Sequence, residues 1–122
     1  MLPEQLAQRA AMAAFDKKAE NVCILDLSQL SIMCDYFVIC TGQSDVSRKA
    51  IADNIEKELS GLGRKRLHRE GEHGSGWVLI DYGDVIVHIF SPEERDYYGL
   101  ERLWGDAKQV EVTIGSENPK LG

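Results

Sequence analysis

Apolar residues recur at helical intervals at the start of the chain, where Leu6, Ala10, Ala13 and Ala14 form one stripe. That spacing predicts a helix over residues 3–18, with Pro3 tolerated in its first turn. The period then shortens. VCILDL at 22–27 and DYFVICT at 35–41 are β-rich runs bounded by turn-formers, which suits strands buried on both sides. SQLSIM connects them without a clear pattern of its own. Helical spacing returns with Val46, Ala50, Ile51, Ile55, Leu59 and Leu62, after Ser44 as a candidate N-cap and up to Gly61 and Gly63.

From Gly61 to Gly76 the chain is charged and rich in glycine, with room for one short strand over 65–69 whose charge would protect an exposed sheet edge. GWVLIDYGDVIVHIF then reads as a hairpin turning at Asp-Tyr-Gly-Asp. A two-residue loop puts Trp77, Leu79, Ile86, His88 and Phe90 on one sheet face and Val78, Ile80, Val85, Val87 and Ile89 on the other, with Trp77 opposite His88. Two apolar faces require cover on both sides. Ser91-Pro92-Glu93-Glu94 starts a further helix, Ser91 capping and Glu94 completing a capping box, and Gly99 is placed to break it. QVEVTI at 109–114 alternates like a last strand, and GSENPKLG reads as a frayed tail. The order predicts a single α/β domain over residues 1–114, a mixed sheet flanked by helices, followed by a flexible tail over 115–122.

Composition narrows the function. A net charge of −6 disfavours a nucleic-acid binder that works by neutralising phosphates, and favours a basic protein surface as partner. Cys23, Cys34 and Cys40 form no Cys-x-x-Cys pair and read as buried cytosolic thiols. The opening MLPEQLAQRA lacks the basic start and apolar stretch of a signal peptide, and no run approaches the roughly 20 apolar residues of a membrane span. A cytoplasmic protein without membrane contact is expected.

DYFVICTGQS at 35–44, AIAD at 50–53, WVLIDYGDVIVHIF at 77–90 and RDYYGLERLW at 95–104 stand in the order and spacing of one family. Over about residues 5–107 the chain resembles the RsfS/iojap ribosomal silencing factors. That resemblance implies a nucleotidyltransferase-like fold without the activity, and homodimers in the free state. It also implies binding to the large-subunit ribosomal protein fourteen, which blocks subunit joining and represses translation when nutrients are scarce.

The residues add a candidate docking surface. Tyr97, Tyr98, Leu100, Arg102 and Trp104 crowd into one segment near the hairpin that carries Trp77, Leu79 and His88, and Trp, Tyr and Arg dominate interface energetics. The competing reading is that these rings seal the helix onto the sheet; with the resemblance, Leu103 is expected toward the core and Tyr98 and Trp104 partly presented. His88 serves either as a core histidine or as part of the patch. Asp81 and Asp84 favour the turn on geometry alone, and pairing with a basic partner is their second possible role. Arg64, Lys65, Arg66 and Arg69 offer a minor rRNA contact at the rim.

The alternative is a nucleotide-binding or nucleotidyl-transferring enzyme. TGQS at 41–44 resembles a phosphate-holding Gly-Ser turn, but such chemistry needs paired carboxylates for metal ions and the sequence contains no Asp-x-Asp. The acidic pairs Glu56/Glu58, Glu70/Glu72 and Glu94/Asp96 fall on helices or in the charged loop. His68 and His73 lack further ligands at metal spacing. No catalytic residue, cofactor or metal is therefore expected.

Overall fold

A computed structural model describes residues 1–71 and 74–113. The expected tail at 115–122, the domain boundary before it, and His73 lie outside the described residues. Helix α1 spans Pro3–Asp16 and buries Leu6, Ala7, Ala10, Ala11, Ala13 and Ala14. Its buried side is almost all alanine, which lets the helix backbone lie close to its neighbours, and Asn54 Nδ2 donates to the Ala13 carbonyl at 2.9 Å. It ends two residues earlier than predicted, in a turn where Lys18 takes a left-handed φ of 63°.

Strand β1 (Glu20–Asp26) runs antiparallel to β2 (Tyr36–Thr41). Helix α2 (Asp45–Gly61) follows, capped as expected by Ser44, whose Oγ accepts from the Ser47 amide at 3.1 Å. Ile51, Ile55 and Leu59 of the predicted stripe are buried, but Val46 is 77% exposed. The aliphatic stem of Arg48 is buried instead, because its guanidinium finds the Gly42 carbonyl and the Asp45 carboxylate, both at 2.7 Å.

Strands β3 (His68–Glu70), β4 (Trp77–Asp81) and β5 (Val85–Phe90) form an antiparallel meander, and β5 pairs in parallel with β2. Helices α3 (Pro92–Tyr98) and α4 (Leu100–Leu103) are separated at the left-handed Gly99, and β6 (Lys108–Val110) returns antiparallel to β1. The result is one six-stranded mixed sheet of order β3-β4-β5-β2-β1-β6, an α/β fold of the predicted class. β3 begins later than the predicted 65–69 strand, and β6 is shorter than predicted.

The hairpin register differs from expectation by two residues. Trp77 pairs with Phe90 and Leu79 with His88, because Gly83, at φ +92°, takes the first central position of the turn and Tyr82 closes it through a 2.9 Å amide bond to Val85. A glycine at that position matches the strand twist. A slip of two keeps every side chain on its predicted face. The capping box at Ser91 does not form: Ser91 Oγ accepts from the Glu94 amide, but the Ser91 amide donates to the Gly76 carbonyl, so the Glu94 side chain is left free of that role.

The two faces are covered unequally. α1 and α2 close one face over Ile24, Val38, Cys40, Val78, Ile80, Val85, Val87 and Ile89. The other holds a smaller cluster of Leu25, Leu27, Cys34, Ile39 and Phe90, over which only the α3–α4 segment lies, with Phe37, Trp77, Ile86, Leu100 and Trp104 partly buried at its margin.

Candidate partner-docking face

That thinly covered face carries most of the sequence-predicted site. Phe90, 1% exposed, anchors it. Trp77 stacks at a tilt on Phe90 and on Tyr98, with centroids at 5.0 and 4.5 Å, while Phe37 meets His88 edge-on at 4.4 Å and Trp104 at 6.1 Å. Edge-to-face and tilted geometries fit the ring quadrupoles and hold the indole from several sides.

His88 is a core residue of this cluster, 4% exposed. Trp77 Nε1 donates to His88 Nδ1 at 3.1 Å, so the ring proton sits on Nε2, which is buried and has no partner among the described residues. Burial pushes the His88 pKa down to about 3, and the ring is neutral at physiological pH. Its role is to aim the indole, not to reach across an interface.

The α3–α4 segment is fastened by Arg95. Its guanidinium donates to the Asn21 carbonyl at 2.7 Å and Thr41 Oγ1 at 3.0 Å, and forms a 2.7 Å ion pair with Glu101. The Arg95 hydrogen bonds hold the Glu101 carboxyl below its usual range. Leu100 and Trp104, four residues apart, turn inward onto the cluster. Leu103, expected toward the core, is 71% exposed, because the break at Gly99 resets the helical phase so that Leu100 takes the inward position. Tyr97 at 77% and Tyr98 at 42% are presented, and Arg102 is exposed with one 3.3 Å bond to the Asp96 carbonyl.

Asp81 and Asp84 divide. Asp81 Oδ1 accepts from the Gly83 amide at 2.7 Å, a turn-making contact, and Asp84 pairs with Arg64 at 3.0 Å. Between the rings and the β3–β4 connection lies a groove of about 280 Å³, lined by Trp77, Leu79, Tyr98, Ser75 and the carboxylates Glu70 and Glu94. An aromatic wall beside carboxylates is suited to a cationic side chain. Sequence reasoning put Phe90 on this face without counting it in the site, and missed Phe37, Arg95 and this acidic pair. Phe37 carried a signal in its alternation with Ile39; the others are joined only by strand pairing and helix docking.

The turn at 41–44 acts as a helix cap, and Asp45 beside it is ion-paired to Arg48. Among the described residues no group of three or more His, Cys, Asp or Glu is arranged to hold a metal ion, and no helix is long and apolar enough to cross a membrane.

Comparison with known proteins adds an independent line. A family model described as "Ribosomal silencing factor during starvation" matches residues 2–121. The chain is 46% identical over 114 residues to the ribosomal silencing factor RsfS of Halalkalibacterium halodurans, covering 92% of this chain and 96% of the relative. It is 42% identical over 115 residues to that of Bacillus subtilis, covering 94% and 98%. A crystal structure of a protein from Chromobacterium violaceum superposes with a TM-score of 0.83 at 32% identity, covering 98% of this chain and 99% of that one.

Proposed function

Because this chain belongs to the ribosomal silencing factor family, we propose that it represses translation by docking its thinly covered sheet face on the large ribosomal subunit, at ribosomal protein fourteen, where its bulk excludes the small subunit. The observation that carries this reading is a half-open aromatic face, with Tyr97, Tyr98 and Leu103 exposed beside the Trp77 groove. Isolated apolar side chains on a surface are ordinary, but a contiguous aromatic patch flanked by carboxylates is characteristic of a protein interface. Glu70 and Glu94 in the groove select an Arg or Lys of a basic protein, and the −6 net charge quickens the encounter. The basic run from Arg64 to Arg69 makes a secondary contact with rRNA at the rim. When free, two copies of the chain pair, as the family resemblance implies. No step of this action requires a cofactor or bond-making chemistry.

The test is sedimentation of purified subunits through a sucrose gradient with and without the protein. Wild type is expected to travel with large subunits and to suppress whole ribosomes. Tyr98→Ala with Leu103→Ala removes two exposed side chains and is expected to weaken cosedimentation by roughly tenfold or more at about 1–2 kcal/mol per anchor. A folded double variant that cosediments like wild type would remove the patch from the mechanism.

A further inference from the structure

A second concave site lies on the other side of the sheet, where α2 meets β3, β4 and the segment before Trp77. Arg48, Lys49, Arg66, Arg69, Ser75 and Val78 line about 310 Å³ there. Its charge runs against that of the chain: four cations gather in one pocket of a protein whose net charge is −6. Their carboxylate partners are shared. Glu56 serves both Arg66 (3.0 Å) and Arg69 (2.6 Å), and Asp53 serves both Lys49 (2.7 Å) and Arg69 (3.0 Å). Two carboxylates therefore serve three cations.

Donors are left over as well. Among the described residues Arg66 bonds through Nε alone and Arg69 through one terminal nitrogen. Arg48 is 7% exposed, and its terminal nitrogens are already engaged by the Gly42 carbonyl and Asp45, so it backs the pocket while Lys49, Arg66 and Arg69 face into it. Asp45, which also lines the pocket, gives one oxygen to Arg48 at 2.7 Å, so those two opposite charges offset each other.

From this arrangement we infer that the pocket binds a phosphate ester of nucleotide size. Planar guanidinium groups match phosphate oxygens bidentately, and an oxyanion of higher charge than a carboxylate draws exposed side chains such as Lys49 and Arg66 away from α2. The volume is at the small end of ligand sites, which suits one nucleotide better than a nucleic-acid strand. Val78, 4% exposed, closes the floor of the pocket. Gly71 and Ser75 also line the aromatic groove on the far side, so a ligand here touches the same connection that backs Trp77. Arg66 and Arg69 belong to both this pocket and the basic rim assigned to rRNA above, so the site is tested on the free chain.

The experiment follows amide chemical shifts of the labelled protein during titration with ADP, with inorganic pyrophosphate and with a single-stranded RNA oligonucleotide lacking terminal phosphates. Saturable shifts at Lys49, Arg69, Ser75 and Val78 with ADP, reversed by pyrophosphate, are expected. Lys49→Ala with Arg66→Ala should weaken binding by roughly tenfold or more, with α1 resonances unmoved, and Lys108→Ala on the far edge should not. No saturable shift at millimolar ADP overturns the inference, as does a response to RNA alone or a double variant that binds like wild type.

Discussion

The buried imidazole of His88 should make stability depend on pH in a window where nothing else in the described structure is shifted to titrate. Its pKa is lowered from 6.5 to about 3 by burial, so in the folded chain it stays neutral well below neutrality, while in the unfolded chain it takes up a proton near 6.5. A base with a depressed folded pKa leaves the unfolded state with more bound protons between those two values, so stability rises with pH there and falls on acidification. Going from pH 7 to pH 5, linkage gives a loss of about 2 kcal/mol, approaching about 1.4 kcal/mol per pH unit once the unfolded histidine is fully protonated. The carboxyls of Asp26, Asp53 and Glu101 are held low by hydrogen bonds from Ser28, Lys49 and Arg95 respectively. Their stabilisation is present above their unfolded pKa values and is lost only as pH falls further, outside this interval. Urea unfolding at pH 7 and pH 5 measures the change. His88→Asn keeps an acceptor near the Nδ1 position for Trp77 and removes the titration, so its absolute stability will drop but its pH 7 to pH 5 difference should nearly vanish. A difference of about 2 kcal/mol persisting in that variant, or none in wild type, would refute the assignment of a sealed, neutral ring.

Two further outcomes follow from local geometry. At Gly71, φ +100°, an added Cβ would run into the Trp77 carbonyl oxygen and come within 2.7 Å of Val78 Cα, whereas at Gly83, φ +92°, it would meet Leu67 Cδ1 at 3.3 Å. Gly71→Ala is therefore expected to cost roughly 3 kcal/mol and Gly83→Ala about 1 kcal/mol in urea melts, and equal costs would contradict this packing. The thiols of Cys23 and Cys40 are pushed up by burial to about 11 and about 12, so in a Cys34→Ser variant at pH 8 the native chain should react with an aromatic disulfide reagent at least ~100-fold more slowly than the unfolded chain; a fast-reacting native thiol in that variant would contradict it.

The element order was legible because the hydrophobic period changes cleanly between 3.6 and 2, and both serine caps sit where the side-chain chemistry put them. What failed was phase. Gly83 fits either central position of a two-residue turn, so the hairpin could be set two residues off without moving one side chain to the wrong face. After Gly99 the helix restarts, and helical spacing carried across it gave Leu103 the inward place that Leu100 holds. Arg48 shows a third limit. A charged residue on an apolar stripe is buried here because Gly42 and Asp45, six and three residues away, supply its partners. Most of the candidate docking residues do fall together on one face, yet which of them are open to solvent depends on how far α3 and α4 reach across the sheet. That is a property of tertiary packing.

The parallel pairing of β2 with β5 at the centre of the sheet bears on how the molecule is made. During synthesis α1, β1, β2 and α2 leave the ribosome before Val85–Phe90 emerge, so Tyr36–Thr41 can hydrogen-bond only its β1 side. A nascent chain in that state carries an unzipped, almost wholly apolar ribbon, vulnerable to mispairing until the second half arrives. Central non-local pairing of this kind slows folding, and the sheet cannot close over YFVICT until the second half of the chain has emerged.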